Sequence, residues 1–210
     1  MVNVFLNFKA YKESAVPNSE KLVSAALGFK NVFICPQQQE LLFLRKKFPK
    51  AKIFAQDCES NEFGAFTGSI GLTQLKSIGV NGSLLNHSER KKPFNELKKI
   101  ILEANKIGFK LVVCVDSLSE AKKIIELRPW AIAFEPPELI GSGKSVSTHE
   151  PVLVKKFINL VGGKSIPLIG AGVSNHSDFV ESIALGAEGV LLASAFVKSK
   201  NPKKWLKEFV

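Results

Sequence analysis

Gly82-Ser83-Leu84-Leu85-Asn86-His87-Ser88-Glu89-Arg90 is an apolar run that stops at a polar cluster, and a helix-like pattern resumes at Pro93. It reads as a buried strand, a short turn and a helix start. Catalytic geometry in α/β proteins concentrates at such junctions, because strand ends are rigid while the loops beyond them vary freely. A second junction of this kind follows Ala131-Ile132-Ala133-Phe134, which ends in Glu135 and runs into Pro136-Pro137-Glu138-Leu139-Ile140-Gly141-Ser142-Gly143-Lys144. A histidine and a carboxylate at the ends of two different strands point to proton-transfer chemistry.

Outward from these junctions the same beat covers the chain. Further apolar runs lie at Val2–Leu6, Val32–Cys35, Lys52–Ala55, Lys110–Val115, Ile166–Ile169 and Gly189–Leu192. Helical periodicity separates them. It is clearest in Phe94, Leu97, Ile100, Ile101, Ala104 and Ile107, in Leu118, Ala121, Ile124 and Ile125, and in Val152, Leu153, Lys156, Phe157 and Leu160. Ser117-Leu118-Ser119-Glu120 has the pattern of a capping box and Asn175 that of an N-cap, while Gly28, Gly79, Gly108 and Gly186 stand where helices should end. Strands alternating with helices imply parallel pairing with right-handed crossovers. Eight such units in 210 residues, with no GxGxxG after the first strand, predict a closed (β/α)8 barrel rather than an open doubly wound sheet. No linker or low-complexity tract divides the chain, so residues 1–210 read as one domain.

Composition fits a soluble globular protein, with 45% apolar and 23% charged residues. The N-terminus has no basic region ahead of its short apolar run, and no apolar stretch nears the ~18 residues of a transmembrane helix. Neither a signal peptide nor a membrane span is expected. Cys35, Cys58 and Cys114 are odd in number and form no CxxC pair, which suggests reduced buried thiols in a cytoplasmic protein without disulfides or zinc. The net charge of +10 raises nucleic-acid binding, but only Arg45, Arg90 and Arg128 among the 29 basic residues are arginines. Arginine is the preferred residue for bidentate phosphate and base contacts, and the lysines come as scattered pairs typical of helix faces. No nucleic-acid partner is expected; a basic surface also favours small anionic substrates.

In a barrel the functional residues belong at the C-terminal ends of strands. Asn7 and Lys9 stand there after the first strand, His87 and Glu89 after the fourth, and Glu135 after the sixth. Gly170-Ala171-Gly172 and Ala193-Ser194 follow the seventh and eighth, where small residues let backbone N–H groups approach a phosphate. The run from Pro136 to Lys144 has the composition of a lid over Glu135, prolines at one end and Gly141-Ser142-Gly143 at the other. His149 and His176 stand at helix starts and read as structural, and Cys114 as a packed thiol.

Asn7-x-Lys9, Asn86-His87-Ser88-Glu89-Arg90, Glu135-Pro-Pro-Glu-Leu-Ile-Gly-Ser-Gly-Lys144, Gly170-Ala-Gly172 and the Leu-Leu-Ala-Ser run ending at Ser194 together resemble the triosephosphate isomerase family, in its order and over the whole chain. Gln56 and Ala65-Phe66-Thr67-Gly68 add matches, and several variants are similar to the compact archaeal branch. The resemblance implies a TIM barrel that interconverts D-glyceraldehyde 3-phosphate and dihydroxyacetone phosphate without cofactor or metal. Glu135 would be the general base, His87 the electrophile, Lys9 the stabiliser of negative charge with Asn7 orienting it, and Glu89 a further member of the catalytic set. Ile140, Gly141, Ser142, Gly170, Gly172, Ala193 and Ser194, with Asn7 and Lys9, would hold the substrate and its phosphate. Thr67 resembles the tip of a loop that enters a partner subunit, implying a homodimer at least and, on the archaeal pattern, a homotetramer. Two other readings compete: a phosphate-binding barrel epimerase or indole-glycerol-phosphate-type lyase, and a basic binding protein without catalysis. The missing additional metal ligands and the lid sequence count against the first, and the intact Lys9, His87 and Glu135 set against the second. Ala195-Phe196 departs from the pattern, since a smaller residue often follows the phosphate-binding pair.

Overall fold

A computed structural model describes residues 2–136 and 145–209. Eight parallel strands close into a barrel in sequence order: β1 (Asn3–Asn7), β2 (Val32–Cys35), β3 (Lys52–Ala55), β4 (Gly82–Leu85), β5 (Lys110–Val115), β6 (Ala131–Phe134), β7 (Ile166–Ile169) and β8 (Gly189–Leu192). β1 closes against β8 with Val4 opposite Val190. Around them lie α1 (Asn18–Ala26), α2 (Leu41–Lys47), α3 (Leu72–Ser77), α4 (Phe94–Ile107), α5 (Leu118–Ile125), α6 (Val146–His149), α7 (Pro151–Val161), α8 (His176–Ala184), α9 (Ser194–Val197) and α10 (Pro202–Leu206). The expected strands form as read, β1 shifted by one residue.

Strand alternation divides the core into two layers. Val4, Leu6, Ile34, Ile53, Val113 and Ile132 face outward onto the helices. Phe5, Phe33, Cys35, Phe54, Leu84, Val112, Cys114, Ala131, Ala133, Leu168 and Leu191 fill the interior. Large and small side chains interlock there: a Cβ on Gly82 would lie 2.4 Å from the Phe54 ring. At the N-terminal end of the strands Phe5, Phe33, Phe54 and Trp130 cluster with centroids 4.5–5.9 Å apart, Phe5 stacked on Phe33 and the other pairs edge-on or tilted, and Lys52 and Lys110 lie over the Phe33 and Trp130 rings. That end is closed by aromatics. The inward phase reaches the opposite end as polar or small residues: Asn3-Phe5-Asn7, Ala131-Ala133-Glu135, Leu168-Gly170 and Leu191-Ala193 each step along one face.

Helix ends follow their sequence signals. Asn175 Oδ1 accepts from Asp178 N at 3.0 Å, and Ser117 Oγ from Glu120 N at 3.2 Å. The second half of the expected capping box moves one residue upstream, since Glu120 Oε2 accepts from Asp116 N. The buried face of α7 is Val154, Phe157 and Val161 rather than the stripe expected through Val152, which is 65% exposed. Pro151 at the first helical position sets the phase, and Phe157 stacks on Phe134 of β6 at 4.9 Å. His149 ends α6 instead of starting a helix. Phe196 is fully buried between Phe8 and Trp205, which accounts for the larger residue there.

Candidate active site

At the C-terminal ends of the strands a cavity of about 200 Å³ is lined by Asn7, Lys9, His87, Glu135, Gly170, Gly172, Ala193 and Ser194, together with Tyr11, Val173 and Ser174. It therefore gathers eight of the residues singled out from sequence. Glu89 lines an adjoining cavity with Lys9, Gln56, Asp57 and Arg90. Ile140, Gly141 and Ser142 lie outside the described residues. A larger, mostly apolar cleft sits at the far end of the barrel, between the loops entering β2 and β3, and contains none of these groups.

Each polar side chain is held by its neighbours. Asn7, 4% exposed at the end of β1, accepts the Lys9 N–H at 3.0 Å. That bond bends Lys9 into the left-handed region at φ 47°, rare for a residue with a side chain. Gln56 locks the turn, its Nε2 donating to the carbonyls of Lys9 and Cys35. Lys9 Nζ then reaches Glu89 Oε1 at 2.7 Å. Glu89 thus orients and partly neutralises the ammonium.

His87 caps the one-turn helix Ser88–Arg90. Its Nδ1 accepts the Glu89 N–H at 3.2 Å, so the ring proton resides on Nε2. His87 Nε2 lies 3.6 Å from Glu135 Oε1, too far for a hydrogen bond and close enough for both to act on adjacent atoms of one small molecule. Glu135 is 4% exposed, and its Oε2 has no hydrogen-bond partner among the described residues. A buried acceptor left unpaired costs stability, and this one faces the cavity. Gly170 makes room for it: a Cβ there would stand 2.6 Å from Glu135 Cγ and 2.8 Å from Oε1. Cys114 packs against the same carboxyl, and burial first, then the Glu135 charge, pushes its thiol well above the usual range. Cys114 is a packed thiol, as expected, and no nucleophile.

Opposite Glu135, α9 begins at Ser194 with no side-chain cap, so its first backbone N–H groups are uncapped where Ala193 and Ser194 line the cavity. Gly172, at φ 72°, turns the loop after β7 toward them. Two supports are not legible as such in the sequence. Gln56 stands out there only as a family match, and Asp57, which binds Arg90 Nε at 2.7 Å and Lys92 Nζ at 3.3 Å, carries no signal at all. Burial raises the Asp57 carboxyl above its ordinary range, with Lys92 and Arg90 opposing the shift. Among the described residues no group of three metal-ligating side chains gathers, and no helix is long and apolar enough to cross a membrane.

Fold and site together define a class of (β/α)8 barrel in which a buried carboxylate and an imidazole share a cavity at the C-terminal ends of the strands. The triosephosphate isomerase family model matches residues 2–209. A triosephosphate isomerase of Thermoplasma volcanium is 35% identical over the full length of both chains. Those of Methanobacterium bryantii and Sulfurisphaera tokodaii are 37% and 33% identical, over 99% of this chain and 95% and 93% of theirs. The chain belongs to the triosephosphate isomerase family.

Proposed function

We propose that the protein interconverts D-glyceraldehyde 3-phosphate and dihydroxyacetone phosphate through an enediolate, serving glycolysis and gluconeogenesis. The observation that carries this reading is the buried pair His87 Nε2 and Glu135 Oε1, 3.6 Å apart beside Lys9 and the uncapped start of α9. Glu135 takes the proton from the substrate carbon beside the carbonyl. His87 Nε2–H donates to the carbonyl oxygen as negative charge develops and moves the proton between the two oxygens. A neutral histidine electrophile of this kind is the well-known case of triosephosphate isomerase itself. Lys9 stabilises the developing charge, Asn7 holds Lys9, and Glu89 fixes the ammonium. The proton on Glu135 returns to the neighbouring carbon, so the sum is an isomerisation and needs no cofactor or metal.

The phosphate is assigned to backbone N–H groups of Gly172, Ala193 and Ser194, with Gly170 beside them. Ile140, Gly141 and Ser142 complete that set on the family pattern as a lid. A cavity of about 200 Å³ suits so small a ligand, being below the ~300–1,000 Å³ of pockets for drug-sized molecules. The active unit is a homodimer assembled further into a homotetramer in the cytoplasm. Phe63 and Phe66, 66% and 47% exposed beside Thr67, support an intersubunit loop. Buried free thiols at Cys35, Cys58 and Cys114 suit a reducing compartment.

The test is conversion of glyceraldehyde 3-phosphate by purified protein without added metal or cofactor, beside Glu135→Gln. Fast conversion that falls at least ~10³-fold in the folded variant is expected. No conversion by a folded wild type would overturn the reading.

A further inference from the structure

Asn86, the residue between β4 and His87, has a φ of 61° and is 1% exposed. Its amide is fully engaged. Nδ2 donates to the Cys114 carbonyl at 2.8 Å and to Glu120 Oε1 at 2.9 Å, and Oδ1 accepts the Lys92 N–H at 3.0 Å. Glu120 is fixed in turn by Asp116 N at 2.9 Å and by Lys91 Nζ at 2.8 Å. One amide and one carboxylate therefore tie the end of β4 to the end of β5, to the first turn of α5 and to both residues that leave the Ser88–Arg90 turn. Every residue of this set lies outside the cavity lining, and all of these bonds but the one from Asp116 N to Glu120 end on the short segment that carries His87 and Glu89.

We infer that Asn86 and Glu120 form a positioning pair for the electrophile: they hold the left-handed turn that aims His87 Nε2 at the reacting oxygens. The inference rests on the proposed isomerase reading for its kinetic consequence, though not for its structural one. Asparagine is suited here because it tolerates positive φ and offers two donors and an acceptor at once. Without the amide the segment keeps the His87–Glu89 cap but loses its anchorage to β5 and α5. His87 then samples rotations away from the substrate. Supports of this kind around ligating histidines are typically worth ~10–100-fold in activity. The phosphate end, built on β7 and β8, is untouched.

The experiment compares Asn86→Gly, which keeps the left-handed backbone, with Glu120→Ala and Glu120→Gln. Kinetics are read beside ¹⁵N NMR of the three histidine rings. Asn86→Gly and Glu120→Ala are expected to lower kcat about 10–100-fold, with KM within about twofold of wild type because phosphate contacts persist. Glu120→Gln, which keeps an acceptor for Asn86, should restore most of the rate. In wild type one ring should show a single tautomer with its proton on Nε2, and in Asn86→Gly that signature should broaden or mix. Folded variants with unchanged kcat and an unchanged ring signature would overturn the inference. So would equal loss in Glu120→Ala and Glu120→Gln, or a fall in activity carried by KM alone. If wild type proves inactive on triose phosphates, the function reading fails, and the ring signature still decides the positioning claim.

Discussion

Gly170→Ala adds one methyl group at the most crowded point of the site. Its Cβ would fall 2.6 Å from Glu135 Cγ, 2.8 Å from Oε1 and 2.9 Å from Cδ, where ordinary contact begins at 3.4 Å. Glu135 must therefore retreat by about 0.8 Å, the difference between 3.4 and 2.6 Å. The Gly170 backbone is not in the left-handed region, so alanine strains the contact and leaves the chain path alone. A misplacement of ~1 Å costs about 100-fold in rate, or about 2.7 kcal/mol at 1.36 kcal/mol per decade. The side chain borders a cavity and can move into it, so Tm should fall by no more than about 5 °C. The assay is steady-state kinetics beside thermal unfolding, with inorganic phosphate as a competitive inhibitor. A rate loss near 100-fold with phosphate inhibition retained is expected. Full activity in the folded variant would refute the steric argument, and loss of phosphate inhibition with kcat intact would move Gly170 from the base to the phosphate.

Thr67→Arg places a charge among exposed Phe63 and Phe66 and should yield smaller assemblies with reduced activity; a fully active monomer on size-exclusion chromatography would dismiss the shared-site proposal. Burial alone would raise the Asp116 carboxyl, but Lys91 and Ser117 outweigh it and hold it below its ordinary 3.8. The folded state therefore binds fewer protons than the unfolded one across that window, and the stabilisation is full above about 3.8 and lost as pH falls below it. Asp116→Asn should lower stability slightly at neutral pH, by less than ~1 kcal/mol for so exposed a pair. The gap to wild type, read by thermal unfolding, should close below that pH, and a gap that stays constant would exclude the linkage.

The architecture was legible because strands buried on both faces read as continuous apolar runs, and because Gly108, Ser117 and Asn175 punctuate the helices as their caps require. The inward positions Asn7 and Glu135 could be placed by counting in twos from Phe5 and Ala133. His87 could not: the left-handed turn at Asn86 breaks the alternation, and only its position beyond a strand end marked it. The face of α7 is read only in part from sequence: Phe157 lies on the expected stripe and stacks on Phe134, but Val154 and Val161 flank it in the core where the sequence pattern predicts Val152 and Leu160. Gln56 reaches Lys9 and Cys35, Asp57 reaches Arg90 and Glu120 reaches Asn86 across 21 to 47 residues of chain, and pattern along one sequence does not report such pairings.

The most direct measurement is isomerisation of dihydroxyacetone phosphate in D2O followed by NMR. Proton transfer through Glu135, with the carboxyl proton exchanging with solvent during the life of the enediolate, predicts deuterium on carbon in the glyceraldehyde 3-phosphate formed by wild type, and none above background with Glu135→Gln. Conversion and deuterium entry at the wild-type rate in folded Glu135→Gln would contradict the assignment of Glu135 as the base.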